Sequence, residues 1–341
     1  MKHTPEPTAE PTAEPNAASA DVLLIGARGA VGASIARRLR AEGVTVTPAG
    51  RTRPSGGISL NTGAGADAAS LSALAAAAGA HRVVINASGT ENAEIADFLG
   101  GAQLLDISAS ADYLAALSAR EPSAALVLGV GLAPGLTTAL LGELAVAPGD
   151  EIDLGIMLGS GEKHGPAAVE WTAGLIGADL AEPAEGGSVR NLAERRSFAE
   201  PGARRRRTYL RADFPDHSLL RLRDGQAPLT VRSYLALSSR AMTWSLGLLG
   251  KLPRFAGLMS RVPALGDERW RITAVNRRTG ESRTAHGVNQ SRATAELTAA
   301  TAIAALRRGP VPGVTLGGDL LDLSAVPGVH LGNPGPPKNT L

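Results

Sequence analysis

The chain has no cysteine in its 341 residues. That excludes disulfides, thiolate metal sites and cysteine nucleophiles. It also excludes the semialdehyde and phosphate-aldehyde dehydrogenases, which join a dinucleotide-binding domain to a catalytic thiol. Aromatic residues make up only 3% of the sequence, which speaks against surfaces that stack nucleic-acid bases. The formal net charge of +2 is too small to argue for nucleic acid or an anionic membrane as partner. No stretch reaches about 18 consecutive apolar residues, so no integral membrane segment is expected. The six histidines show no H-E-x-x-H or similar spacing, so no metal is expected. Tyr113, Tyr209 and Tyr234 are followed at the fourth position by Leu117, Asp213 and Ser238. The Tyr-x-x-x-Lys pair of the short-chain dehydrogenases is therefore missing.

What is present begins after a low-complexity tract. Residues 1–20 repeat Pro, Glu, Thr and Ala without core-forming side chains or the apolar stretch of a secretory signal. They read as a disordered tail on a cytoplasmic protein. Val22 to Ile25 then form an uninterrupted apolar run, the mark of a strand buried on both faces of a parallel sheet. It meets Gly26-Ala-Arg28-Gly29-Ala30-Val31-Gly32 and a helix with Ile35 and Leu39 on its apolar side. Strand, glycine turn and helix together form a dinucleotide-binding fingerprint, here spaced G-x-x-G-x-x-G. Gly26 permits the turn, Gly29 lets backbone approach a pyrophosphate, and Gly32 lets the helix pack on the strand. The first helical N–H groups face the phosphates.

A second strand ends in Gly50-Arg51-Thr52-Arg53, about 25 residues after Gly26. An NAD site places a carboxylate near that point to receive the ribose 2′-hydroxyl. Here two guanidinium groups flank a hydroxyl, a set that suits a 2′-phosphate and indicates NADP, or NADPH in the reduced state. Helix Ala68–Ala80, strand Arg82–Asn86 and the small-residue loop Asn86-Ala87-Ser88-Gly89 follow. That loop is expected to line the cofactor crevice, because ligands of doubly wound sheets bind at the carboxyl ends of the strands. Helix Glu91–Leu99, strand Gln103–Ser108, helix Ala111–Ala119 and strand Ala124–Val130 continue the βαβ rhythm. Gly129-Val-Gly131-Leu-Ala-Pro134-Gly135-Leu-Thr137 then opens a helix over Leu136–Leu144. Pro134 and Gly135 are expected beside the nicotinamide.

The chain exceeds the usual size of a single core, so two domains are expected. From about Asp150 the pattern alternates. Glu151–Leu158, Thr230–Leu237, Arg269–Val275 and Ser282–His286 read as half-exposed antiparallel strands of an α+β domain. Helix Gln290–Arg308 returns to the first domain, and the Pro/Gly-rich residues 311–341 read as mostly irregular. Ala241–Leu249 is an apolar helix, interfacial or packed in the core or against another subunit. The expected organisation is a tail at 1–20, a dinucleotide-binding domain at 21–145, a substrate and dimerisation domain at 146–288, a return at 289–325 and an irregular end at 326–341.

These motifs resemble the saccharopine dehydrogenase and reductase-like proteins. The resemblance rests on Gly26–Gly32, Ala49-Gly50-Arg51, Val84–Gly89, Asp106-Ile-Ser108 and Gly131–Thr137. It covers residues 21–140 and the helix near 290–312, and is thin between them. It implies an N-terminal Rossmann sheet, an inserted α+β domain carrying substrate and dimer surfaces, and an NAD(P)-dependent oxidoreductase acting at a carbon–nitrogen bond. Such chemistry needs a proton donor or a cation beside the hydride donor. Ser160-Gly-Glu162-Lys163-His164-Gly165 is the cluster that fits, with Lys163 and His164 as candidate catalytic residues; its bland alternative is a solvated loop. His217 is a second candidate and His286 reads as structural. Arg204–Arg207 reads as a solvated hairpin. The competing reading of the whole chain is a non-catalytic NADP-binding sensor or assembly protein that kept the fold.

Overall fold

A computed structural model describes residues 20–120, 123–162, 166–180, 183–184, 186–199, 206–225, 229–251 and 266–332. The expected tail thus lies outside the described residues up to residue 19. In chain order the first strands are β1 (Ala20–Ile25), β2 (Val46–Gly50), β3 (Ile58–Ser59), β4 (His81–Asn86), β5 (Gln103–Asp106) and β6 (Ala125–Leu128). Then come β7 (Glu151–Leu158), β8 (Arg195–Phe198), β9 (Arg207–Arg211), β10 (Thr230–Leu237), β11 (Arg269–Asn276), β12 (Ser282–Val288), β13 (Gly313–Leu316) and β14 (His330–Gly332). The helices are α1 (Ala30–Ala41), α2 (Ala68–Gly79), α3 (Ala111–Arg120), α4 (Leu136–Gly142), α5 (Pro166–Gly174), α6 (Asp216–Asp224), α7 (Arg240–Lys251) and α8 (Gln290–Arg308).

The first sheet has the order β13-β6-β5-β4-β1-β2-β3, and every pair in it is parallel. From β1 the chain winds outward to β2 and β3, then crosses to β4 and winds the other way. This is the order of a Rossmann sheet, with its switch point between β1 and β4. Both faces of β1 are covered, as its unbroken apolar run requires. Leu23 and Ile25 join one apolar cluster. Val22 and Leu24 join another, with Ile35 and Leu39 of α1 and Ala295, Ala299 and Ala302 of α8. An Arg38–Glu296 ion pair at 2.9 Å ties α1 to α8.

The second sheet has the order β14-β12-β11-β7-β10-β9-β8. The alternating strands are not all antiparallel as expected: β7 and β10 run parallel, from Glu151↔Thr230 to Leu158↔Leu237. Nor is β7 half-exposed, because Phe198, Tyr209 and Tyr234 cover part of the sheet's outer face together with Met157. Its inner face, carrying Ile152, Leu154 and Ile156, belongs to the cluster that holds Leu23 and Leu104 of the first sheet. The wedge between the sheets is α4, buried from Leu136 to Leu141. The two sheets therefore share one apolar core.

Two further expectations change. Residues 93–98 form a 3₁₀ turn in place of the helix expected over Glu91–Leu99. The stretch read as irregular contributes β13, parallel to β6, and β14, antiparallel to β12 within the expected irregular end. No helix among the described residues is long and apolar enough to cross a membrane.

Candidate functional site

The register of the first sheet brings its strand ends level. Ile25 pairs with Ala49 on one side and Asn86 on the other; Asn86 pairs with Asp106, and Asp106 with Leu128. The segments that leave these strands, at Gly26, Arg51, Ala87, Ile107 and Gly129, therefore share one edge. That edge, at the switch point, is where a doubly wound sheet binds its ligand.

The three glycines of the first turn do different work. Gly26 has φ +86°, and a Cβ there would lie 2.4 Å from the Ala87 carbonyl oxygen. A Cβ on Gly32 would lie 2.3 Å from the Gly26 oxygen, within helix α1's contact on the turn. Packing alone accounts for both. Gly29 is different: its φ of −68° is open to any residue, and its Cβ would meet nothing closer than 3.4 Å. Fold demands do not explain a glycine there. It caps α1 without any side-chain hydrogen bond, and Arg28, Gly29 and Ala30 are exposed while Val31 is half-buried. By contrast, Asp67 accepts from Ser70 N–H at the start of α2. The α8 start is closed as well: Asn289 accepts from Arg292 N–H, and Glu162 from the N–H groups of Gln290 and Ser291 at 2.8 and 3.1 Å. The α1 start is left uncapped, with its positive dipole end outward.

At the end of β2 the two arginines separate in role. Arg53 Nε donates to the Gly57 carbonyl at 2.8 Å and so braces its own loop. Arg51 and Thr52 are exposed, and the Arg51 guanidinium has no bond to a described residue. Of the expected pair, Arg51 is the one whose guanidinium has no bond to the loop that Arg53 braces.

The β4 loop is held from beneath. Asn86 is buried, so its side chain is turned from the crevice and positions the loop. Its Nδ2 donates to Asp106 Oδ2 at 2.8 Å and to the Thr90 carbonyl at 3.1 Å. Its Oδ1 accepts from Ser88 Oγ at 2.7 Å. Ala87 is half-buried, and Ser88 and Gly89 are exposed on the crevice edge. Asp106 is fully buried and accepts from Tyr113 OH at 2.8 Å and Ser108 N–H at 2.7 Å. Burial pushes its carboxyl up to about 6, against the pull of these hydrogen bonds. Burial and the neighbouring Asp106 charge likewise raise the Tyr113 phenol. The Asp106–Tyr113 pair was not among the sequence candidates. The signal for it was Asp106-Ile-Ser108, a carboxylate positioned to take the N–H two residues on.

Pro134 and Gly135, expected beside the nicotinamide, are both buried. A Cβ on Gly129 would meet Pro134 at 3.1 Å, and one on Gly135 would meet the Gly131 oxygen at 2.2 Å. Leu136 N–H donates to the Gly131 carbonyl, closing this turn on itself. These residues seat α4 between the sheets. Lys163 and His164 lie outside the described residues. Their neighbour Glu162 is buried, and it closes the start of α8 instead of lying solvated. His217 Nδ1 accepts from Val231 N–H.

No family model matches the chain, and no curated protein matches its sequence. Among solved structures it is similar to aspartate semialdehyde dehydrogenase II from Vibrio cholerae, with 8% identity, 79% of this chain and 74% of that one covered, and a TM-score of 0.34. It is also similar to the WlbA dehydrogenase from Chromobacterium violaceum, crystallised with NADH and UDP-GlcNAcA. There the identity is 9%, 80% and 75% of the two chains are covered, and the TM-score is 0.30.

Proposed function

We propose that the chain is an NADP-dependent oxidoreductase of the saccharopine dehydrogenase-like type, acting on a C=N or C=O carbon of a small substrate. The observation that carries this reading is the α1 start. At the switch point of a Rossmann sheet it is uncapped, and the one glycine that packing does not require stands there. The residues present fit a dinucleotide: N–H groups of Gly29, Ala30 and Val31 would hold the pyrophosphate, and Arg51 the 2′-phosphate. Bound NADPH supplies the hydride. The protein's part is to orient it through the Ala87–Gly89 loop, which Asn86 and Asp106 fix from below, and to handle a proton through Lys163 or His164. The absence of cysteine keeps thiol-dependent acyl chemistry out of the reading. A cytoplasmic homodimer completes it.

A second reading, a non-catalytic NADP-binding sensor or assembly protein, is favoured by one feature. The polar groups found at the β4 and β5 ends, Asn86, Asp106 and Tyr113, are buried and bonded to one another. Calorimetric titration with NADPH and with NADH tests the first requirement of both. Micromolar NADPH binding with much weaker NADH binding is expected. Arg51→Ala should cost NADPH about tenfold or more in affinity and leave NADH nearly unchanged; equal losses refute the 2′-phosphate role. Turnover of NADPH with an imine or ketone then separates enzyme from sensor.

A further inference from the structure

Helix α7 turns one side to the second sheet and the other to solvent. Thr243, Leu246 and Gly247 are buried, and Leu246 joins the core that both sheets share. On the opposite side Ala241, Trp244 and Leu248 follow one another at the three- and four-residue spacing of a single helix face. Trp244 is 63% exposed, more than any other large apolar side chain among the described residues, and Leu248 is 43% exposed. The solvent side of a helix ordinarily carries charged and polar groups. Yet α7 contains no carboxylate and no amide side chain.

Cations border this face. Lys251 is exposed and stands two turns after Trp244, on the same side. Arg195 of β8 is exposed too, and its guanidinium lies 3.9 Å from where a Cβ on Gly247 would be. Neither makes an ion pair with a described residue. Glu194, the carboxylate next to Arg195 in sequence, accepts from the Tyr234 hydroxyl at 2.9 Å. Residues 252–265 lie outside the described residues, but the two points they join are known. The stretch leaves from Lys251 and returns at Gly266, where a Cβ would lie 2.7 Å from Ser238 Oγ, just before α7 begins. Its sequence adds Arg254 and Arg261 and again no carboxylate. The chain as a whole hides this asymmetry, because its 34 Lys and Arg are nearly matched by 32 Asp and Glu placed elsewhere.

What covers such a face is decided by area and charge. A second copy of the chain would need more surface. The 12 residues of α7 expose a strip of about 18 Å by 10 Å, roughly 200 Å², where a stable interface buries about 800 Å² on each partner. With no acid on the helix, a two-fold contact would also set its cations against one another. A lipid surface demands less area and no matching shape. An indole settles at the headgroup level, an aliphatic side chain enters below it, and cations reach the phosphates of anionic lipids. We propose that the outer face of α7 docks the protein reversibly on an anionic lipid surface, Trp244 and Leu248 entering the interface and Arg195 and Lys251 meeting the headgroups. The proposal does not depend on the oxidoreductase reading.

The test is flotation of the full chain with vesicles of phosphatidylcholine alone and of phosphatidylcholine mixed with phosphatidylglycerol, at low and high salt. Binding is expected to the mixed vesicles at low salt, and about tenfold weaker binding at high salt or without the anionic lipid. Trp244→Ser combined with Leu248→Ser should weaken it about tenfold or more, and Arg195→Gln combined with Lys251→Gln about tenfold. All four side chains are exposed, so both double variants should match wild type in stability and NADPH binding. Trp270 is 1% exposed and Trp171 is packed on Phe214. A blue shift of emission on adding vesicles, lost in Trp244→Phe, therefore reports the docked indole, and iodide should quench Trp244 only in their absence. Four results would each overturn the proposal: no flotation with mixed vesicles, flotation that either double variant leaves intact, neutral vesicles binding as tightly as mixed ones, or Trp244 shielded from iodide without lipid. The last would give the face to residues 252–265 or to a second copy, which sedimentation velocity of the Trp244 and Leu248 variant tells apart. A chain that docks but fails to bind NADPH would leave this proposal standing and remove the nucleotide reading alone.

Discussion

Replacing Asp106 by Asn should change stability by an amount that depends on pH. The carboxyl is fully buried and titrates near 6 in the fold, against an ordinary value of 3.8. The folded chain therefore holds the proton more tightly than the unfolded chain does. Stability from this group is greatest below about pH 4 and is lost as pH rises towards 6 and beyond. The difference costs the fold about 3 kcal/mol at pH 7.5, and about half of that at pH 5. The variant has no such titration, but it has a fixed defect. Oδ1 accepts from Ser108 N–H, while Oδ2 accepts from both Asn86 Nδ2 and Tyr113 OH. Whichever way the new amide is turned, its NH₂ faces an N–H donor, at a cost of about 1–3 kcal/mol. The two effects nearly cancel at pH 7.5, so the variant should be close to wild type there. At pH 5 it should be weaker by about a further 1 kcal/mol, read from urea unfolding of both proteins at both pH values. Asp216, which burial also raises to about 6, is present in both proteins and drops out of the difference. A gap between variant and wild type that does not move with pH would show that Asp106 does not titrate as a desolvated acid.

The glycine turn makes a paired prediction. Gly32→Ala puts a methyl group against backbone that cannot yield, and should cost about 1–3 kcal/mol of stability together with NADPH binding. Gly29→Ala should leave stability within about 0.5 kcal/mol of wild type yet weaken NADPH about tenfold in titration; full affinity in that variant would remove the helix start from the site. Glu162→Gln keeps the shape of the α8 cap but loses its charge, and should lower stability by about 0.5–1 kcal/mol in thermal unfolding. Replacing Lys163 and His164 together by Ala, with NADPH binding intact, should slow turnover about 10²-fold or more; wild-type rates would take both out of the chemistry.

The strand, glycine turn and helix that open the first sheet were legible because their information is local. Glycine spacing after an apolar run, and arginines where an NAD site would carry an acid, are each read within a dozen residues. The bounds of β7, β10 and α8 were legible for the same reason. The direction in which β7 and β10 pair was not, because alternation reports which faces are covered and says nothing of partners. Asp153 misled in the same way: a charged residue at an alternate position looks solvated, yet it is buried against Arg277 and Arg196, at 2.8 and 2.6 Å. Pro134 and Gly135 carry the converse ambiguity. A Gly/Pro loop before a helix has one local appearance whether its helix start is open, as at Gly29, or seated in the core, as at Leu136. The discriminating feature is what surrounds the first turn, and that depends on residues far along the chain.

The same distinction explains why one cross-strand row was out of reach. Arg271, His286 and His330 become neighbours only through two registers, and one of them depends on β14, a three-residue strand in a Pro/Gly-rich segment without alternation long enough to see. His286 alone, on a strand, has no reason to be more than structural. The candidate crevice is thus written in consecutive residues. Gly29→Ala and the Trp244 and Leu248 double variant probe separate parts of the molecule. The first should bind anionic vesicles as wild type does, and the second should bind NADPH as wild type does. Losses of both ligands in either variant would mean that the core joined by Leu246 of α7 transmits a rearrangement, and that the two sites are one linked system.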